Sequence, residues 1–131
     1  MLIGLSCIFP CDDILKTAAY YKQKLGFRAV EFLDSTQPHI CLYRGYTEII
    51  LTQIEGAKFV PNHILYGYGY DAYFYTRAQR ILQDEFMRNE VCIMKPLSVT
   101  DYKNNELVIE DIDGRWIAFG IKDDPQAIVA T

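Results

Sequence analysis

Between Asp13 and Phe27 the apolar positions fall at Ile14, Ala18, Tyr21 and Leu25. Those spacings line up on one stripe of a helix, with Lys16, Lys22 and Lys24 away from it. Asp12 or Asp13 can cap the first turn, where unpaired amides favour a carboxylate. Gly26 stands where a left-handed residue closes a helix, and the late lysines suit its negative end. Apolar runs on either side predict strands: Leu2 to Phe9, ended by Pro10, and Phe27 to Leu33. Asp34 to Pro38 is rich in turn formers. His39 to Tyr43, broken by Arg44-Gly45, and Thr47 to Ile54 predict two more strands. Glu55 to His63 has the composition of a connector.

The order then starts again. Leu65 to Tyr75 has the aromatic content of a strand. Thr76 to Asn89 predicts a helix, with Thr76 and Gln79 as a capping-box pair and Ala78, Leu82, Phe86 and Asn89 on one face. Val91 to Met94 predicts a strand ended by Pro96, and Glu106 to Ile112 another. Asp113-Gly114 is a two-residue hairpin signal, and the last strand follows from Arg115 to Ile121. A short tail begins at Asp123. Each half is strand, helix and three strands. A period of roughly 60 residues is too long for a solenoid unit and points to a duplicated module.

Totals narrow the function. One domain of 131 residues, half of them hydrophobic, can bury a core. The net charge of −4, with no basic run, argues against nucleic acid as a partner. No apolar run reaches the ~20 residues of a membrane span, and no signal-peptide pattern opens the chain, so the expectation is a cytoplasmic protein. Cys7, Cys11, Cys41 and Cys92 lack metal or redox spacing and read as free, buried thiols. His39, at the start of a strand, and His63, in the connector, read as surface or half-buried polar residues.

Two stretches carry a family resemblance. Asp13-Ile14 through Ala19-Tyr20-Tyr21 to Leu25-Gly26-Phe27 resembles a helix signature of the vicinal oxygen chelate superfamily. That superfamily holds glyoxalase I, bleomycin- and fosfomycin-resistance proteins and extradiol dioxygenases. Asp111 to Phe119 resembles its closing motif, and together the likeness covers about residues 2–121. The resemblance implies an α+β fold. Two βαβββ modules, at about residues 1–58 and 63–122 of a single 1–131 domain, would form a curled mixed β-sheet cleft with helices outside. It also implies a homodimer.

Metal-dependent members of that superfamily hold a divalent ion with a His on the first strand, a His or Glu on the fourth, a His on the fifth and a Glu on the last. Carried over, these positions fall on Ser6, Ile50, Asp71 (or Tyr70 if the register slips by one) and Ala118. Only Asp71 is a plausible ligand, whereas a catalytic metal wants about three protein ligands. No metal site, no cofactor and no catalytic residue is therefore assigned; no nucleophile stands with a base in motif context. Strand alternation instead sends Asp71, Tyr73 and Tyr75 toward the cleft, with Trp116, Ala118 and Gly120 on the last strand and Glu48 beside Ile50. Rings there offer stacking and cation–π contacts.

The expected ligand-binding set is thus Ser6, Glu48, Ile50, Asp71, Tyr73, Tyr75, Trp116 and Ala118. The expected function is metal-free binding of a small organic ligand, an antibiotic or an aromatic or cationic metabolite, in a dimer cleft. The alternatives are a divalent-metal-dependent lyase, transferase or dioxygenase with displaced ligands, and a dimeric scaffold with a vestigial cleft. Whether the protein is an enzyme stays open at this point.

Overall fold

The structure is a computed structural model in which residues 1–122 are described. The tail expected from Asp123 on lies outside the described residues. The chain divides into two compact units, Met1–Val60 and a second beginning at Pro61.

The first unit runs β1 (Ser6–Cys11), α1 (Ile14–Leu25), β2 (Arg28–Phe32), β3 (His39–Arg44) and β4 (Thr47–Gln53). Its sheet has the order β1-β4-β3-β2. β1 pairs with β4 in parallel, and the other pairs are antiparallel. The helix covers one face. Ile14, Ala18, Tyr21 and Leu25 are buried there with Phe9, Cys11, Ile40, Leu42, Ile49 and Leu51. Burying one such side chain fully is worth about 1.5–3 kcal/mol. The caps form as expected: the Asp13 carboxylate accepts from the Lys16 amide at 3.2 Å, and Gly26 takes a left-handed φ of 72°. Gln53 at the end of β4 accepts from the Ile14 amide at 3.1 Å, tying the helix start to the sheet.

The second unit adds α2 (Asn62–Leu65) and then repeats the order: β5 (Ala72–Tyr75), α3 (Gln79–Arg88), β6 (Cys92–Val99), β7 (Asn104–Glu110) and β8 (Trp116–Lys122). Its sheet, β5-β8-β7-β6, again has a parallel first-to-last pairing. The fold is α+β, with two modules of the same βαβββ order. On the helix-covered face Phe74 stacks on Phe119 at 5.3 Å, and Phe119 meets Phe86 of α3 at 5.2 Å.

Several elements differ from the sequence expectation. β1 starts at Ser6 and runs through Pro10 instead of ending there. It is an edge strand, where a missing amide is tolerated. The connector ends in α2, which begins at Asn62 after Pro61. β5 is only four residues long, because Gly67 and Gly69 hold positive φ angles of 83° and 99° and keep the preceding aromatics out of the sheet. There is no capping box on α3. Its N-cap is Ala78, which is exposed, while Thr76 Oγ accepts from the Ala78 amide and Gln79 donates to the Asn105 carbonyl.

β6 continues past Pro96, which lies within the register irregularity between Lys95 and Ser98 on an edge strand of this sheet. The hairpin before β8 has three residues between Asp111 and Arg115 instead of two. Gly114, at φ 88°, closes a turn begun at Asp111, the usual solution for a loop of that length. All four cysteines are free. Cys11 and Cys41 are buried and Cys7 half-buried, but Cys92 is exposed, because edge strand β6 leaves that position open.

Candidate functional site

In the second sheet, residues paired directly across β5, β8 and β7 share a face. Tyr73 lies opposite Ala118 and Tyr75 opposite Gly120; Glu106, Val108 and Glu110 lie opposite Gly120, Ala118 and Trp116. Helix α3 packs on the other side, through Phe86 against Phe119, so this is the face that α3 leaves uncovered. Asp71, just before β5, donates its amide to the Trp116 carbonyl at 2.9 Å. Five of the expected residues, Asp71, Tyr73, Tyr75, Trp116 and Ala118, therefore come together here. They differ in access. Ala118 is fully buried, Tyr75 is exposed, and Trp116 is stacked by His63 at 4.0 Å with the rings 10° apart. His63 is fixed in turn, its Nε2–H donating to the Gly114 carbonyl at 2.8 Å.

The centre of this face is a residue the sequence reading passed over. Glu106 is 3% exposed. Its carboxylate accepts from the Tyr70 phenol at 2.9 Å, the Tyr102 phenol at 3.0 Å and the Tyr73 phenol at 3.0 Å. The Asn104 amide donates to the Tyr73 oxygen at 2.9 Å. Burial first, then the bonds to Tyr102 and Glu106 for Tyr70 and the bond to Glu106 for Tyr73, push these two well above the ordinary phenol range; burial and Glu106 raise Tyr102 too, against the lowering effect of its bond to Tyr70. The phenols stay protonated and donating. The signal was alternation: Glu106, Val108 and Glu110 share a parity in β7 that matches the tyrosine parity in β5. Tyr70, named only as a register alternative for Asp71, reaches Glu106 instead.

Three buried polar atoms on this face have no hydrogen-bond partner among the described residues: Asp71 Oδ2, Asn104 Oδ1 and Trp116 Nε1. Leaving such an atom unpaired costs about 1–3 kcal/mol. Burial raises the Asp71 carboxyl, against the lowering effect of the Asn62 amide and the Arg115 charge. The folded chain thus holds a proton that the unfolded chain has already released. Stability therefore falls as pH rises from the ordinary aspartate range through the raised folded value, and the loss persists above it. Asp71→Asn is expected to be more stable than the parent at about pH 7, with the advantage shrinking toward about pH 3.5. Urea midpoints at both pH values check this; an advantage equal at both would remove the explanation.

The remaining expected residues lie on the open face of the first sheet. The Ser6 hydroxyl donates to Glu48, and that bond, followed by one from Tyr43, holds the Glu48 carboxyl below its ordinary value. Tyr43 is raised in return, chiefly by its bond to Glu48, and the Arg28 guanidinium lies 4.9 Å from its ring. Ile50 is paired between Ile8 and Cys41. With Ile8, Pro38, His39 and Thr52 it lines a hollow of about 930 Å³.

No family model matches the sequence, and no curated protein does. Solved structures do. A glyoxylase/bleomycin resistance protein/dioxygenase domain from Frankia sp. EAN1pec superposes with a TM-score of 0.72 at 15% identity, covering 95% of this chain and 96% of that one. A member of the glyoxalase/bleomycin resistance protein/dioxygenase superfamily from Sphaerobacter thermophilus DSM 20745 gives 0.71 at 18%, covering 92% and 97%. The chain has the glyoxalase/bleomycin resistance/dioxygenase superfamily fold. An integron cassette protein from the mobile metagenome of V. cholerae is similar as well, at 0.62 and 23% identity over 92% of this chain and 96% of that one.

The metal positions of that superfamily can now be tested against the side chains. Ser6 is engaged with Glu48, Ile50 and Ala118 offer no donor atom, and Asp71 alone supplies a carboxylate. Among the described residues no group of three or more His, Cys, Asp or Glu is placed to hold a metal ion. This donor set does not fit the divalent ion of the catalytic members. Among the described residues no helix is long and apolar enough to cross a membrane.

Proposed function

We propose that this protein binds a small organic molecule on the open sheet faces of the superfamily fold, through rings and polar side chains and without a metal ion. The observation that carries the reading is the second-sheet face. There, a set of tyrosines surrounds a buried carboxylate while Asp71 Oδ2, Asn104 Oδ1 and Trp116 Nε1 are left without partners. A binding surface needs such an inventory: aromatic walls for contact area and a few polar atoms for orientation. The hollow beside Ile50 adds support, since about 930 Å³ is within the range of small-molecule pockets. The proposal includes the antibiotic or the aromatic or cationic metabolite expected from the sequence. It also includes pairing with a second copy of the chain, for which the exposed Ile8, Phe32 and Tyr75 on the two open faces are the support.

The test combines metal analysis with a thermal-shift panel of aromatic probes: benzylamine, benzyl alcohol, 1-naphthol and proflavine. The expected result is no stoichiometric divalent ion in the purified protein and a saturable rise in melting temperature with at least one probe. Stoichiometric nickel, zinc, manganese or iron, lost together with turnover in Asp71→Asn, would mean a metal-dependent lyase, transferase or dioxygenase. A chain that dimerises yet responds to no probe would be a scaffold. Either outcome overturns the proposal.

A further inference from the structure

Glu106 is a buried carboxylate without a counter-charge among the described residues. It is 3% exposed, and its hydrogen-bond partners are three phenols. Among the described residues no ammonium or guanidinium pairs with it; the Lys95 ammonium rests over the Tyr70 ring, 5.7 Å from the centroid, without reaching the carboxylate. Phenol dipoles hold a carboxylate less well than a cation does, and an unpaired buried charge is costly. Beside it stands Asn104, 6% exposed, whose amide nitrogen is committed to Tyr73 while its oxygen has no partner. A carboxylate and an unengaged amide oxygen are both acceptors. Both ask for a donor, and the carboxylate asks for a positive one.

We propose that the Glu106 box, walled by Tyr70, Tyr73 and Tyr102, is a recognition site for the protonated amine of a small organic ligand. The ammonium enters by displacing the Tyr102 hydroxyl from Glu106, and one of its N–H groups donates to the Asn104 oxygen. Tyr102 is the side chain suited to move. It is half exposed and stands in the turn between β6 and β7, not in a strand. That turn is held by its own bonds: the Thr100 and Asn104 backbones pair at 2.8 Å, and Lys103 donates to the Thr100 carbonyl at 3.0 Å. The ring can swing out without breaking the sheet. The remaining rings then face the cation, with cation–π attraction adding to the ion pair. Gly120 keeps the floor of the box clear, since a Cβ there would lie 2.7 Å from the Tyr73 oxygen. Neither Glu106 nor Tyr102 is at a metal position of the superfamily fold.

This site deepens the small-molecule reading above and rests on it. The experiment titrates the full chain with benzylamine and with its neutral counterpart, benzyl alcohol, by calorimetry at neutral pH. Benzylamine is expected to bind at least about tenfold more tightly than benzyl alcohol, and Glu106→Gln to abolish that preference. Tyr102→Phe provides a second measure that does not touch the core. It keeps the ring, frees one carboxylate lone pair, and is expected to tighten benzylamine binding several-fold. Equal affinity for the two probes, a preference that survives Glu106→Gln, or unchanged or weaker benzylamine binding in Tyr102→Phe each overturns the assignment. Equal affinity leaves the small-molecule reading standing, whereas silence across the whole probe panel removes that reading itself.

Discussion

Replacing Arg115 by alanine is expected to remove about 3–5 kcal/mol of stability, the cost of stranding a buried charge. The side chains of Arg115 and Asp111 are fully buried. One guanidinium nitrogen donates to Asp111 at 3.0 Å and to Asp113 at 2.8 Å. The other Asp111 oxygen accepts from the amides of Asp113 and Arg115, so the same carboxylate shapes the turn before β8. With total stability for such domains near 5–15 kcal/mol, the variant would lose a large share of it. Arg115→Lys should recover part of the loss, because both contacts come from a single guanidinium nitrogen that a shorter ammonium replaces incompletely. Adding Asp111→Asn to Arg115→Ala should recover part of the loss by removing the stranded charge. Urea unfolding of the three variants checks the series. A drop below about 1 kcal/mol for Arg115→Ala would show that the pair is not what holds this turn.

Gly120→Ala is the second large effect. A methyl group there would stand 2.6 Å from the Asn105 carbonyl, 2.6 Å from the Glu106 Cβ and 2.7 Å from the Tyr73 oxygen. The carbonyl belongs to the strand backbone and cannot step aside as a flexible side-chain tip would. Gly120 itself lies opposite Glu106 in the β7–β8 ladder. The expected cost is about 1–3 kcal/mol, with the Tyr73–Glu106 hydrogen bond lengthened or lost. Chemical denaturation reads the first part. The second part appears as weaker benzylamine binding under conditions where the variant is still folded. Unchanged stability would mean that the ladder opens more easily at Gly120 than these distances allow.

Much of the scaffold was legible from the chain. The stripe Ile14, Ala18, Tyr21, Leu25 and the stop at Gly26 identified α1 almost to the residue, because caps and periodicity act locally. The alternation around Tyr73 and Trp116 placed Tyr73, Tyr75, Trp116 and Ala118 on one sheet face, as the register has them, because parity survives small errors in strand ends. What escaped depended on distant partners. Pro10 and Pro96 read as strand breaks, and only their edge positions explain why pairing continues through them. The capping pair Thr76 and Gln79 looked sound locally, but the Gln79 side chain is drawn to the Asn105 carbonyl of another strand.

The site shows the same division. Asp71 was singled out by alternation on the fifth strand and Ala118 by the closing motif. Glu106 was not, because its importance comes from three phenols that approach from separate stretches of chain, at positions 70, 73 and 102. Likewise nothing in the connector announced that His63 would cover Trp116.

The parallel pairing of the first and last strands in each sheet has a consequence for synthesis. Within its own sheet, among the described residues, β1 is hydrogen-bonded to no strand except β4, and β5 to none except β8. A ribosome releases the chain from its N-terminus, so each opening strand emerges long before the only neighbour able to receive it. The three-stranded meander that follows can assemble from contacts close in sequence, while the opening strand waits through a long loop closure. Nascent chains truncated before Thr47 should therefore leave Ser6–Cys11 open to proteases or chaperones, and chains extended past Gln53 should protect it.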